Sequence, residues 1–164
     1  MTSFLDPLLI LVLAVNFYAL GVSRIRSVIH VVGFQGILLG VFPLFVHPEI
    51  GLRGILLMAI TIAVKGFVIP MFLVRAMREV DSQHEATPVI SYMSSLLLGA
   101  LGTGLAIEFA SSLPLVAGHE KLLVVPASLS TVWAGFLMLT TRRKAIMQVL
   151  GYLLLENGIL LFGL

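Results

Sequence analysis

Apolar residues fill the chain in runs of about twenty, broken by short polar turns rather than alternating with them. The runs cover about 5–22, 27–46, 54–74, 89–110, 122–141 and 145–164. At about 1.5 Å per residue, a run of that length crosses a hydrocarbon core roughly 30 Å thick. Lipid offers no partner to backbone N–H and C=O groups, so each run must satisfy its own as a helix. The alternating strands of about ten residues that a membrane β-barrel needs are absent. The pattern predicts an all-α fold: a polytopic transmembrane helix bundle of six helices, in a single membrane domain over 1–164. The sixth run is still apolar at Leu164, which predicts a seventh helix beyond it.

The polar breaks set the orientation. Arg24, Arg26, Arg75, Arg78, Arg142, Arg143 and Lys144 follow the first, third and fifth runs, whereas only Arg53 and Lys121 follow the second and fourth. Basic residues stay in the cytoplasm, so the odd breaks are expected there and the N-terminus outside. The segment from Arg75 to Pro88 reads as a solvated connector or a dock for a cytoplasmic subunit. Arg24-Ile-Arg-Ser-Val-Ile-His-Val-Val-Gly-Phe34 can be laid on Arg142-Arg-Lys-Ala-Ile-Met-Gln-Val-Leu-Gly-Tyr152. Both copies are a basic turn, an apolar start, a glycine and an aromatic, so a parallel repeat of 1–75 with 122–164 onward is one reading. The chance likeness of basic turns before apolar helices is the other.

Composition closes off other classes. Of 164 residues, 59% are hydrophobic and 11% charged, and mean hydropathy is +1.12. A soluble domain carries about 25% charged residues. A soluble enzyme, a nucleic-acid-binding domain and a disordered chain are therefore excluded, and the net charge of +2 matters only through its distribution. With no cysteine there is no disulfide framework, thiolate zinc site or cysteine-ligated cluster. Met1 to Asp6 carries no basic segment, so no secretory signal is expected.

Chemistry is expected where ionisable groups lie inside the spans, at a cost of roughly 2.5–3.5 kcal/mol each on insertion scales. Glu156 lies in Gly151-Tyr-Leu-Leu-Leu-Glu-Asn-Gly158, deep in the sixth run. A carboxyl in hydrocarbon resists ionisation and a nearby cation restores it, so a group held between the two states can take up and release protons. Lys65 lies near the centre of the third run, too far from either end to reach water easily. It is read as a second proton carrier or the counter-charge of a carboxylate. Pro70 cannot donate to the Gly66 carbonyl, so a helix kink beside Lys65 is expected to open a small polar pocket. Glu108, near the outer end of the fourth run, is either a side chain that reaches the interface or a weaker proton-transfer candidate. His30, about one turn from the basic break, is an entry group or an interfacial residue. Gln35, Gln148, Ser128, Ser130 and Thr131 either hold water along a path or join helices. Gly36 with Gly40, and Ala100 with Gly104, are small-xxx-small pairs that permit close helix contact. His30, His47, His84 and His119 lack metal or haem spacing, no phosphate-binding loop or nucleophile elbow is present, and no cofactor or metal is expected.

Two of these segments resemble a known family. TRRKAIMQVLGYLLLENGILL and TIAVKGFVIPMFLVRAMRE are similar to the E-type membrane component of hydrogenase-4 and formate hydrogenlyase-type complexes, the group 4 energy-converting kind. That family is related to the small K subunit of complex I and the C subunit of multi-subunit cation/proton antiporters. Lys65 and Pro70 match its Lys-x4-Pro helix, and Glu156 matches its mid-membrane glutamate after a basic turn. The resemblance implies a non-catalytic membrane-arm subunit of a respiratory redox complex in the cell inner membrane. Its partners would be antiporter-like membrane subunits and a peripheral, hydrogenase-like redox arm. It would form part of a buried polar path for proton or sodium movement coupled to electron transfer. The family has a further helix with acidic residues after the glutamate helix, matching the seventh helix expected beyond Leu164. A subunit of a cation/proton antiporter or an NADH dehydrogenase-like complex is an alternative, as are a scaffold subunit and a small secondary transporter.

Overall fold

The computed structural model of the chain describes residues 5–46, 51–79, 88–113 and 123–163. His47, His84, His119, Lys121 and most of the connector after Glu79 lie outside them. The described residues form an all-α helical bundle with the elements α1 Leu5–Gly21, α2 Ile25–Val41, α3 Pro43–Val46, α4 Leu52–Ala63, α5 Ile69–Glu79, α6 Tyr92–Ser112, α7 Val124–Thr141 and α8 Ala145–Phe162. A π-helical turn, Val64–Val68, joins α4 to α5 in one continuous rod. This rod, α6, α7 and α8 are each long and apolar enough to cross a membrane, while α1 and α2 are shorter apolar helices.

Two helix ends differ from the apolar pattern. The second run predicts one helix as far as residue 46, but α2 stops at Val41 and a short α3 begins at Pro43. Proline lacks the N–H that the helix would use there. The third run predicts an end near Val74, yet α5 continues to Glu79. Met77 on this last stretch is buried in the core, while Arg75 and Arg78 are exposed. Hydropathy marks the thickness of the lipid core, and an amphipathic turn carries the helix past it.

Packing runs through the spaces left by glycines. The α7–α8 hairpin is the tightest pair. A Cβ on Gly135 would come within 2.7 Å of the Gly151 oxygen, and one on Gly158 within 2.6 Å of the Val132 nitrogen. Backbone therefore lies on backbone, the close approach that small residues allow in lipid. On α2, Gly36 and Gly40 do what their spacing predicts, lying against Lys65 and Ile62 of the α4–α5 rod, and Gly33 lies against Pro70. The other expected pair faces outward. Ala100 and Gly104 are exposed, and nothing approaches Gly104 within 4 Å. Instead Gly99 receives Leu20 and Gly102 receives Trp133, whose Nε1 donates to the Leu98 carbonyl at 2.9 Å. Small residues do mark a contact face on α6, but that face is offset from the expected pair, because α1 and α7 meet the other side of the helix.

Candidate functional site

Two apolar clusters fill the interior, one at each end of the bundle. The first includes Ala19, Val32, Ala134 and Leu154. The second includes Val12, Leu39, Ala127 and Leu161. Between them, each of four helices places a polar side chain: Asn16 on α1, Gln35 on α2, Thr131 on α7 and Asn157 on α8, all buried. The bundle thus has a polar layer between two apolar ones.

Three members of the layer are strung together. Gln35 Nε2 donates to Asn16 Oδ1 at 3.0 Å. Asn16 Nδ2 donates to Thr131 Oγ1 at 2.8 Å, and that hydroxyl donates to the Ala127 carbonyl at 2.7 Å. The string ties α1, α2 and α7 and contains no titratable group. Gln35 Oε1 is buried without a hydrogen-bond partner, which leaves an acceptor open in the middle of the bundle.

Titratable chemistry enters on the side of the α4–α5 rod. Residue 65 is the midpoint of the apolar stretch Leu52–Arg78. Lys65 Nζ lies 3.2 Å from Glu156 Oε1 and donates to Asn157 Oδ1 at 3.0 Å. The two ionisable residues expected from the sequence therefore form one ion pair, and the neighbouring asparagine completes it. The amine is largely covered, at 14% exposure, while the carboxylate keeps 41%. The pair opens towards the outer surface of the chain.

The helix break beside the lysine takes a form that the sequence does not indicate. In place of a simple kink, Val64–Val68 is a wide π turn, in which the Ile69 N–H bonds to the Val64 carbonyl. Pro70 supplies no N–H to the turn before it, and an inserted residue is one way for a helix to relieve that. The carbonyls of Lys65 and Gly66 approach Gly33 of α2. A narrow cleft beside them, lined by Lys65, Pro70, Asn157 and apolar residues, holds about 10 Å³. That is the threshold for one water. A wider groove lies on the other side of Lys65, between Gly36, Gly40, Thr61 and Leu160.

The remaining candidates lie elsewhere. His30 is exposed on α2, with its Nδ1 donating to the Arg26 carbonyl at 2.7 Å. Glu108 is exposed on α6, which packs on α1 and α7. Ser128 bonds to the Val125 carbonyl within its own helix. Ser130 is buried with its hydroxyl unpartnered, at a crevice that it shares with Asn16 and Thr103. Gln148 caps the Arg142 carbonyl at 3.2 Å, so it belongs to the α7–α8 turn.

One residue counted only towards orientation has a second role. Arg142 is 1% exposed. Its Nη2 donates to the Leu20 carbonyl at 2.7 Å, and its guanidinium sits 4.7 Å from the centre of the Tyr92 ring. Nε and Nη1 are buried without hydrogen-bond partners. Burial pushes this guanidinium below the usual arginine range, and Tyr92 acts in the opposite direction. The Val89 N–H also reaches the Thr141 carbonyl at 2.7 Å. Arg142 therefore locks the ends of α1, α6 and α7 together. Nothing in the sequence signals this, because Arg142 and Arg143 are alike in a basic turn and only the fold separates them.

No family model matches the chain, and no solved structure matches it. Among curated proteins it is similar to the uncharacterized protein Rv0085 of Mycobacterium tuberculosis (strain ATCC 25618 / H37Rv), with 33% identity over 140 residues, 82% of this chain and 62% of that protein. The chain thus spans less than two thirds of the length of the relative it matches.

Proposed function

We propose that this membrane protein is a non-catalytic membrane-arm subunit of an energy-converting redox complex, in which the Lys65–Glu156 pair passes protons to and from a neighbouring subunit. The single observation that carries the reading is the ion pair itself: two opposite charges at the level of the polar layer, with the carboxylate opening outward. A half-exposed carboxylate facing hydrocarbon is unfavourable. Cover by a polar surface of another membrane subunit removes that penalty. The resemblance of the Lys65 and Glu156 helices to the E-type component of group 4 hydrogenase-type complexes points the same way. The basic bias of the odd breaks supports a cytoplasmic side for them.

The mechanism follows from charge balance. With both groups charged, each stabilises the other. A proton delivered to Glu156 removes its charge and leaves the Lys65 ammonium on Asn157 Oδ1 alone. The unbalanced cation then favours loss of a proton, from either group, to the next acceptor. A charge change in the neighbouring subunit acts on both members of the pair.

Glu156→Gln tests this in inverted membrane vesicles, with subunit co-purification in mild detergent measured alongside. The expected result is an assembled complex that no longer acidifies the vesicles. A variant that pumps normally, or that fails to assemble and so points to a scaffold, overturns the reading. The proteins that co-purify identify the complex: hydrogenase, formate dehydrogenase and NADH-oxidising partners are distinct outcomes.

A further inference from the structure

A second feature lies on the outer surface and does not depend on the ion pair. Beside α2, one face of the α4–α5 rod carries an open groove of about 510 Å³. Phe67, Met71 and Val74 line one stretch of it, and Arg75, Arg78 and His30 line the other. Positions 67, 71, 74, 75 and 78 recur at helical spacing, so they share a face. From Phe67 to Arg78 the face runs roughly 16 Å along the axis. It changes along that length from apolar to cationic.

The gradient matches the membrane. Arg75 and Arg78 belong to the basic break after the third span, where the hydrocarbon ends. Phe67 and Met71 are 65% and 64% exposed at the depth of the acyl chains. His30 Nδ1 donates to the Arg26 carbonyl, so in the neutral ring Nε2 is an acceptor and His30 bounds the cationic end without donating to an anion. Arg75 also has an interaction within the chain, so Arg78 is the primary contact. Gly66 and Pro70 at the floor of the groove add little bulk, and a flexible chain can lie against the rod there. A soluble anion would use the cationic end alone. An acidic peptide would leave the apolar end bare. A diacyl lipid with an anionic head satisfies both ends, as basic pockets between membrane helices do for such lipids.

We propose that this groove binds one anionic phospholipid, with its phosphate on Arg78 and Arg75 and an acyl chain along Met71 and Phe67. The test uses the full chain in micelles doped with equal amounts of phosphatidylglycerol and phosphatidylcholine, read by native mass spectrometry. The expected result is one phosphatidylglycerol retained per chain, at least fivefold over phosphatidylcholine. Arg78→Gln should lower that preference at least threefold, and Arg78→Gln with Arg75→Gln should abolish it. Arg143→Gln, exposed on another turn, should leave it unchanged, and helix content by circular dichroism checks that each variant folds. Millimolar inorganic phosphate should not displace the lipid. Equal retention of the two lipids, an unaffected Arg78→Gln, an equal loss in Arg143→Gln, or displacement by free phosphate each overturns the proposal. If phosphatidylglycerol is excluded by a co-purifying partner protein with acidic residues cross-linked to Arg78, the groove is a protein interface and the proposal fails.

Discussion

Replacing Lys65 by methionine keeps the volume of the side chain and removes its charge. At the observed 3.2 Å, two unit charges attract by about 5 kcal/mol when the effective dielectric is about 20. Desolvation of both groups and the lost freedom of a long side chain offset most of this, so the net coupling should be about 1–3 kcal/mol. Lys65→Met also strips Asn157 Oδ1 of its donor, and should destabilise the bundle by about 3 kcal/mol. Glu156→Gln removes a partner that is already half exposed, and should lose about 1–2 kcal/mol. The double variant should lose less than the sum, by the coupling energy. Equilibrium unfolding in mixed sodium dodecyl sulfate and dodecyl maltoside micelles, followed by helical circular dichroism, measures all four corners of the cycle. Additivity within about 0.5 kcal/mol would mean that the two groups do not sense each other. The ion pair, and the charge balance built on it, would then be refuted.

Other predictions concern the frame around the pair. Gly151→Val should prevent the α7–α8 hairpin from closing, with a loss above about 3 kcal/mol in the same unfolding assay, whereas Gly104→Ala, with open space around it, should change stability by less than about 0.5 kcal/mol. Asn16→Ala breaks two hydrogen bonds of the polar string and should lose about 1–2 kcal/mol, near the upper end for such bonds in a membrane protein. Arg142→Met should loosen the ends of α1 and α6. Faster amide exchange near Leu20 and Tyr92 would report it, and Arg142→Lys should restore only part of the protection because a lysine lacks the planar fork.

The bundle itself is legible because lipid enforces it. Runs of apolar residues have to be helices where water is missing, so six of them give the architecture directly. Lys65 and Glu156 are legible for the same reason: a charge in such a run needs a partner, and each is the other's. Asn16 and Asn157 do not stand out, since an amide in an apolar run is common and weakly opposed, and only folding brings Asn16 level with Gln35 and Thr131. The contact face of α6 is ambiguous because Ala100 and Gly104 have the same spacing as Gly99 and Gly102 to within a residue, and the faces differ by where Trp133 sits. The π turn is hidden because Pro70 announces a missing hydrogen bond without saying how the helix makes up for it. Arg142 is hidden because burial belongs to the fold and not to the residue.

The backbone-to-backbone seam of α7 and α8 has a consequence for how the pair is moved. Where glycine lets backbone lie on backbone the crossing has little freedom to shift, so the hairpin behaves as one rigid body and holds Asn157 and Glu156 at a fixed station. The lysine rides on the other body, a rod loosened at its own depth by a widened turn. Any displacement between the two bodies is therefore taken up on the amine's side of the gap.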